Sequence, residues 1–314
     1  MSLLRWLFAQ SPLLTWQREK TRHFGRVLLF HRVVDDDCHP ALLAMLEGEV
    51  ITRSAFQRQL DYLSQHYQVV SLDDIIRRHD HPGNLVALTF DDGYMDNYRN
   101  ALPLLKARGM PATIFVITSM IESSKGSWRD RLARKIAANG PQALCFDTGS
   151  EVKRFEFKGR YQKQLKAVET WLKTLPSDQR EALLADQPLH DHDRFLDIDA
   201  IKELEQNGIA IQAHTVNHYR LSSLDEQAAA WEITESKAIL EAILGHPVDY
   251  FAYPYGSHGD FTKANESAAR QAGYRAAFAA YRGYLQPDTD LFAIPRIGSR
   301  EDWTRFKIRI TQAY

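Results

Sequence analysis

Two adjacent carboxylates follow a run of apolar residues in the segment Leu88-Thr89-Phe90-Asp91-Asp92-Gly93. Neighbouring carboxylates repel one another, so both stay ionised at low cost only when a positive group lies beside them. A divalent metal ion provides that charge: one carboxylate binds the ion, and the other accepts a proton from the water that the ion activates. A plain Asp-Asp-Gly turn is the alternative, and the motif taken alone favours the turn.

A pair of histidines gives the second chemical signal. His214 and His218 stand four positions apart in the segment Ile211-Gln212-Ala213-His214-Thr215-Val216-Asn217-His218. Two imidazoles at this spacing converge on one ion if the chain turns helically after the first of them. A polar loop with two ordinary histidines is the alternative, because the glutamate of a metalloprotease HExxH motif is missing.

Taken together, the two motifs favour a metal centre over two unrelated loops. Asp92, His214 and His218 supply three protein ligands and leave one coordination position open, which is the pattern of a catalytic zinc site. Zinc is the expected ion, and cobalt or another divalent metal is the alternative.

Short apolar runs alternate with helical patterns along the chain, and both motifs stand where such a run ends. The strand candidates are Val27–His31, Leu85–Phe90, Thr113–Ile117, Ile209–His214, Tyr250–Tyr253, Ala276–Ala279 and Phe292–Pro295. This succession predicts an α/β fold with a parallel sheet, either a barrel or a doubly wound layer. Parallel sheets carry their ligand sites at the carboxyl ends of the strands, so the sheet would bring the two motifs together.

The region from about residue 128 to residue 195 breaks this alternation and predicts a folded insertion. Apolar and charged residues alternate over Glu151–Lys158 after a turn-forming segment, Asp147–Ser150, which indicates a hairpin. Helical spacing from Tyr161 to Leu175 follows, and Pro176 ends that helix. The polar cluster His190–Asp193 is expected to be solvated surface. The insertion either folds over the cleft or covers an edge of the barrel.

Composition narrows the class of protein. The 314 residues carry 39 Lys and Arg against 40 Asp and Glu, a net charge of -1, so nucleic acid is a poor candidate partner. The two cysteines make no disulfide framework and fit a reducing compartment. We expect an N-terminal segment, residues 1–25, followed by a single barrel over residues 26–314.

The first 20 residues hold apolar patches but lack a long apolar core and a signal-peptidase site, which favours a cytoplasmic location. A short helix packed on the main body is the expected structure of residues 1–20. A helix lying on a membrane surface, in peripheral contact with it, is the alternative, and tryptophan and arginine would suit that position.

Three motifs in order carry a family resemblance: Thr89-Phe90-Asp91-Asp92-Gly93, the His214-to-His218 segment, and Phe251-Ala252-Tyr253-Pro254-Tyr255-Gly256. From Arg26 to Arg296 the chain resembles the polysaccharide deacetylases of carbohydrate esterase family 4, the NodB homology domain. The resemblance implies a distorted (β/α)7 barrel and metal-dependent removal of N-acetyl or O-acetyl groups from sugars. It assigns Asp91 as general base, Asp92, His214 and His218 as metal ligands, and the backbone N–H of Tyr255 as an oxyanion donor.

The general acid departs from the commonest family pattern, which has a late Leu-x-His motif. The corresponding region here reads Phe292-Ala293-Ile294-Pro295-Arg296, and no histidine follows His258. Leu29-Phe30-His31 has the missing form and also ends a strand candidate, an arrangement similar to the circularly permuted poly-N-acetylglucosamine deacetylases. His31 is therefore the candidate acid, and a histidine held only by structural hydrogen bonds is the alternative.

A second departure concerns the arginine that steadies the base in many family members, because Ala252 stands at its position. Arg296 is the candidate substitute, since it follows a neighbouring strand candidate. The sequence thus predicts a metal-dependent deacetylase acting on an N-acetylated polysaccharide, oligosaccharide or glycan precursor. A metal-dependent esterase or amidase for another acetylated substrate, and a carbohydrate-binding protein without catalysis, are the alternatives.

Overall fold

The computed structural model describes residues 12–38, 43, 47–123, 126, 128–139, 143–156, 161–172, 174–185 and 193–312. The strands are β1 (Arg26–Phe30), β2 (Arg32–Val34), β3 (Val50–Thr52), β4 (Gln68–Val69), β5 (Leu85–Phe90), β6 (Ala112–Val116), β7 (Leu144–Asp147), β8 (Val152–Phe155), β9 (Ile209–Ala213), β10 (Tyr250–Ala252), β11 (Ala276–Phe278) and β12 (Ile297–Gly298). The helices are α1 (Pro12–Lys20), α2 (Arg53–His66), α3 (Leu72–Arg77), α4 (Leu102–Lys106), α5 (Trp128–Asn139), α6 (Tyr161–Leu172), α7 (Ser177–Ala182), α8 (Ile198–Gln206), α9 (Glu226–Leu244), α10 (Lys263–Gln271) and α11 (Trp303–Thr311).

A curled parallel sheet forms the centre of the molecule. Seven strands follow the order β11-β10-β9-β6-β5-β1-β12, and β4 pairs with the beginning of β5. All six residues of β5 are buried, as expected for a parallel strand that is covered on both faces. The predicted α/β class and the distorted (β/α)7 barrel are confirmed.

The last part of the sheet brings its two ends together. Ile297 pairs with Leu28 of β1, while Ile294, three residues earlier, forms a single bridge to Phe278 of β11. The strand predicted at Phe292–Pro295 is therefore wrong in position. Proline has no N–H to donate to a ladder, and the regular pairing begins only at β12.

Aromatic rings fill the space between the sheet and helix α2. The rings of Phe30, Phe56 and Phe90 lie 5.2 to 5.8 Å apart, and all three side chains are buried. Helix α2 buries Phe56, Leu60 and Leu63 at helical spacing, so one apolar face holds it against β1 and β5. This packing fixes the two strands whose carboxyl ends carry His31 and the paired aspartates.

The described residues of the insertion pack around a small apolar cluster of their own. Strands β7 and β8 form an antiparallel hairpin, and helix α6 begins at Tyr161. The buried members of the cluster are Leu132, Ile136, Leu144, Phe146, Val168, Leu172 and Leu184. The limits of the insertion, at about residues 128 and 195, stay a prediction, and so does the single barrel that contains it.

A buried arginine ties the insertion to the barrel. Arg32, in β2, forms ion pairs with Asp96, with Asp130 of helix α5 and with Asp193, at 2.7, 2.8 and 3.2 Å. Arg134 of α5 also pairs with Asp193. The expectation of a solvated surface at His190–Asp193 is therefore wrong for Asp193, because it neutralises buried cations. The other three residues of that cluster lie outside the described residues.

The N-terminal helix packs on the body of the protein through one face. Leu14 is buried, whereas the side chain of Trp16 is 55% exposed, and α1 contacts α11. Arg26 follows the helix and donates to the carbonyl oxygens of Thr21 and Ile310, at 3.1 and 2.9 Å. No helix in the described ranges has the length and apolar character needed to cross a membrane. Residues 1–11 lie outside the described residues, so the membrane-surface alternative stays a prediction.

Candidate active site

Neighbouring strands deliver the candidate residues to one edge of the sheet. His31 follows β1, the paired aspartates follow β5, and His214 follows β9. These carboxyl ends surround a cavity of about 470 Å³. All seven candidate residues line it: His31, Asp91, Asp92, His214, His218, Tyr255 and Arg296.

Asp92, His214 and His218 form a compact group. Asp92 Oδ1 lies 3.3 Å from His218 Nε2 and 3.6 Å from His214 Nε2, and the three candidate ligand atoms all lie within 4.8 Å of one another. His214 Nδ1 lies 2.8 Å from the carbonyl oxygen of Ala252, which leaves Nε2 to face the carboxylate. Such a backbone contact fixes the ring orientation of a metal ligand.

The histidines do not converge through the helical turn that the sequence suggested. Thr215 and His218 adopt positive φ angles of 65° and 58°, so the segment is a loop. The backbone N–H of His218 donates to Thr215 Oγ1 at 3.0 Å, which holds the loop closed. Left-handed backbone is costly for residues with a branched or bulky side chain, and such costs concentrate at functional sites.

The donor set fits a divalent metal ion. Asp92 Oδ1 is buried and has no hydrogen-bond donor among the described residues, and burial raises the pKa of this carboxyl. Burial lowers the pKa of His214 and of His218 to about 4, so both imidazoles are neutral near pH 7. Neutral imidazoles beside an orphaned carboxylate oxygen are the ligands that zinc and related ions take.

Asp91 is held by Arg296 in a two-point ion pair. Nη1 and Nη2 of the arginine each lie 2.7 Å from one carboxylate oxygen, and both side chains are buried. Arg296 Nε donates to the carbonyl oxygen of Ala279 at 2.7 Å, which fixes the plane of the guanidinium. Burial alone would raise the pKa of Asp91, but Arg296 outweighs it and the pKa falls to about 2. Asp91 is therefore a permanent anion beside the ligand group.

His31 stands beside two charged residues that the sequence reasoning missed. Its Nδ1 is buried and has no hydrogen-bond partner among the described residues. Glu49, which precedes β3, and Arg129, in the first turn of α5, line the same part of the cavity and pair at 2.5 Å. The positive charge of an arginine is unfavourable at a helix N-terminus, because the helix dipole is also positive there. In the sequence, the position of Arg129 at the start of a helix could have indicated that it has an acidic partner. The insertion thus supplies a wall of the cavity.

Tyr255 occupies a tight turn at the mouth of the cavity. Its φ is 61° and its side chain is 51% exposed, with the ring centroid 5.1 Å from that of His218. No acceptor for its backbone N–H lies among the residues that the structure describes. A Cβ atom on Gly256, the next residue, would lie 2.7 Å from the backbone nitrogen of Ala280, so only glycine fits there. The turn therefore presents a backbone donor in a fixed position.

The parallel α/β barrel carries an Asp-His-His group and an arginine-held carboxylate at its strand ends, where barrel enzymes have their active sites. The profile of the polysaccharide deacetylase family matches residues 78–277. The chain belongs to the polysaccharide deacetylase family.

Individual relatives agree with this assignment at low identity. YxkH of Bacillus subtilis (strain 168), named as a polysaccharide deacetylase, is 24% identical over 212 residues, which cover 68% of this chain and 50% of YxkH. The chain thus spans about half the length of this curated relative.

Solved deacetylase structures share the fold. The Streptococcus pyogenes deacetylase PplD, solved with acetate, superposes with a TM-score of 0.63 at 19% identity, over 92% of this chain and 97% of PplD. IcaB from Ammonifex degensii gives a TM-score of 0.60 at 23% identity, over 93% of this chain and 98% of IcaB. The shared fold extends across nearly the whole chain in both comparisons.

Proposed function

We propose that the protein is a metal-dependent carbohydrate deacetylase that hydrolyses N-acetyl groups on a polysaccharide, an oligosaccharide or a glycan precursor. One observation carries the proposal: the orphaned Asp92 oxygen faces two imidazole nitrogens, with the arginine-held Asp91 beside them in one cavity. Family membership supports the same reaction class.

Asp92, His214 and His218 would hold the ion, zinc in the first place and cobalt or another divalent metal as the alternative. When bound, such an ion supplies Lewis acidity, which polarises the acetyl carbonyl and makes a water molecule more acidic. These three side chains are already gathered, and the Ala252 carbonyl already sets the ring of His214. The chain therefore needs little rearrangement to bind the ion.

Asp91 takes the proton from the attacking water. Asp91 Oδ2 lies 3.9 Å from His214 Nε2, so the base stands next to the ligand group without belonging to it. Arg296 donates to both carboxylate oxygens, and each oxygen keeps a second lone pair that can accept from water. The arginine is a positioning residue that fixes the direction of the free lone pairs.

His31 gives a proton to the departing amine, and the backbone N–H of Tyr255 donates a hydrogen bond to the acetyl oxygen as negative charge develops on it. Both residues line the cavity that holds Asp91. A backbone N–H without a protein acceptor is the kind of donor that stabilises a tetrahedral oxyanion. Imidazole gains and loses protons near neutral pH, which suits it to protonate a leaving amine.

Acetate release from a panel of N-acetylated sugars, oligosaccharides and glycan precursors tests the proposal. Turnover is expected on N-acetylated sugars and not on simple amides or esters. Asp91→Asn should keep the metal and lose turnover. Full activity in Asp91→Asn, or a metal-loaded protein that binds glycans and releases no acetate from any of them, would contradict the proposal. Faster turnover of non-sugar esters or amides would support the alternative esterase or amidase.

A further inference from the structure

Five arginines besides Arg296 line the same cavity. Arg129 and Arg220 are paired with Glu49 and Asp260, and the other three are Arg282, Arg300 and Arg309. Arg282 follows β11, Arg300 follows β12, and Arg309 projects from helix α11. All three share that cavity with Asp91 and Asp92. Because like charges repel, a group of cationic side chains in one cavity is expected to have an anionic partner.

Two of the guanidinium groups occupy one small volume. The Nη1 atoms of Arg300 and Arg309 lie 3.4 and 3.6 Å from the position that a Cβ atom on Gly298 would take. Arg300 also lies against Gly48, whose φ is 97° and where a Cβ would stand 2.5 Å from the same Nη1. Gly48 thus leaves room for the Arg300 guanidinium, which a side chain at that position would force to move.

Neither Arg300 nor Arg309 forms an ion pair with a described carboxylate, although Glu47 lies near enough to act on both charges. Arg300 Nη1 donates to the carbonyl oxygen of Ser299 at 2.6 Å, and Arg309 Nη1 donates to that of Gly298 at 3.4 Å. Both interactions use neutral acceptors. Glu47, an acidic residue in the cavity wall, is paired with Arg305 instead.

The arginines also repel one another. Burial lowers the pKa of Arg300 and of Arg309, and neighbouring guanidinium groups lower both further, while Glu47 offsets part of the effect. Burial lowers the pKa of Arg282 as well, and Arg300 adds to the effect. Unpaired cations held close together are unfavourable unless an anion binds between them.

We propose that Arg282, Arg300 and Arg309 bind the phosphate or diphosphate group of the substrate, so that the enzyme acts on a phosphorylated glycan precursor rather than on a neutral polymer. A single carboxylate is satisfied by one arginine fork, whereas three guanidinium groups match the several oxygens and the multiple charge of a diphosphate. Nucleotide sugars and polyprenyl-diphosphate sugars share this chemistry. The inference rests on the proposed deacetylase function and names its substrate class.

Kinetics on matched substrates test the inference. Acetate release is measured for N-acetylglucosamine, its 1-phosphate, its uridine diphosphate ester, a polyprenyl-diphosphate ester in detergent micelles, a neutral N-acetylated oligosaccharide and one that contains uronic acid. The wild-type kcat/KM should be highest for the 1-phosphate or for one of the diphosphate esters. Which of the soluble and lipid-linked substrates has the highest value identifies the source of the phosphate. Preference for the uronic acid substrate or equal values for charged and neutral substrates would overturn the inference.

Variants assign the effect to the arginines. Arg300→Gln and Arg309→Gln should raise KM for the diphosphate ester about tenfold to a hundredfold and leave KM for the neutral oligosaccharide unchanged. Arg275→Gln is the matched control, because this arginine does not line the cavity and is paired with Asp73 and Asp249. An equal loss on charged and neutral substrates would overturn the inference.

Direct binding separates this inference from the proposed function. Inorganic diphosphate is titrated calorimetrically into the full chain and into Asp91→Asn. Binding that is lost in Arg300→Gln and Arg309→Gln, in a protein that releases no acetate, would keep the anion subsite and remove the deacetylase proposal. Acetate release without diphosphate binding would keep the deacetylase proposal and remove the anion subsite.

Discussion

Arg32 and Asp130 form a buried ion pair, 2.8 Å long, that joins strand β2 of the barrel to the first helix of the insertion. The arginine is the residue next to His31, the candidate acid, and the aspartate is the residue next to Arg129, which lines the cavity. One ion pair therefore holds both walls of this part of the cavity, and the insertion is fixed against the site.

Stability should depend on pH through this network. Burial raises the pKa of Asp130 to about 6, although Arg32 opposes the shift. Between about pH 4 and pH 6 the folded protein keeps a proton that the unfolded chain has lost, so the free energy of unfolding falls as pH rises through this window. Asp130→Asn removes the part of this dependence that Asp130 contributes, whereas Asp96, whose pKa burial also raises to about 6, keeps its own part. The wild type should lose up to about 3 kcal/mol relative to the variant across the window. Urea unfolding at several pH values measures the difference.

Asp288→Asn is the control for that series, because Asp288 is exposed. Its stability should follow the wild type at every pH. If the free energies of unfolding of Asp130→Asn and the wild type differ by a constant amount from pH 4 to pH 6, Asp130 does not titrate as described.

Arg296 should act on turnover rather than on substrate binding. Its two-point contact sets the direction of the Asp91 lone pairs, and a misplaced base costs about a hundredfold in rate. Arg296→Lys keeps the charge but makes a single-point contact, so kcat should fall about a hundredfold with KM nearly unchanged. Steady-state acetate release gives both constants, and circular dichroism shows whether the barrel is folded. A variant that changes only KM would place the arginine in substrate binding.

The three-residue ligand group predicts one bound divalent ion per chain. His218→Gln removes one nitrogen of the group and should weaken zinc binding by more than about a hundredfold. His246→Gln is the matched control, since that histidine is exposed and contacts Glu205. Metal content after dialysis against a weak chelator measures the loss. Added zinc or cobalt should restore the acetate release of the dialysed wild-type protein. Equal metal content in the two variants would exclude His218 as a ligand.

The pair between Arg129 and Glu49 should tune substrate binding from the insertion. Removing Arg129 leaves Glu49 without the cation that lowers its pKa against the effect of burial. Arg129→Gln should raise KM about tenfold, and a cycle with Glu49→Gln should give a coupling of about 1 kcal/mol. Arg154→Gln, an exposed change in the hairpin of the same insertion, should leave KM unaltered. Additive effects in the double variant would show that the two side chains act independently.

The sequence predicted the residues that stand at strand ends and missed those that reach the cavity from elsewhere. Apolar runs mark β1, β5 and β9, so His31, Asp91 and His214 were assigned to one edge of a sheet. Glu49 and Arg129 were missed because their contact joins positions 80 residues apart, and no local pattern encodes such a distance. The helical turn assumed after His214 was wrong because the positive φ of Thr215 depends on its surroundings, which periodicity does not report.

The pairing of β1 with β12 also sets an order of assembly as the chain is synthesised. β1 precedes the other strands along the described chain, yet its partner β12 begins only at Ile297. Asp92, His214 and His218 have all emerged well before Arg296, so the growing chain carries its complete ligand group while Asp91 still lacks its partner. Pairing across such a sequence separation is slow. A growing chain that has formed β1 but not β12 therefore lacks the two-point contact that Arg296 makes with Asp91 in the complete barrel.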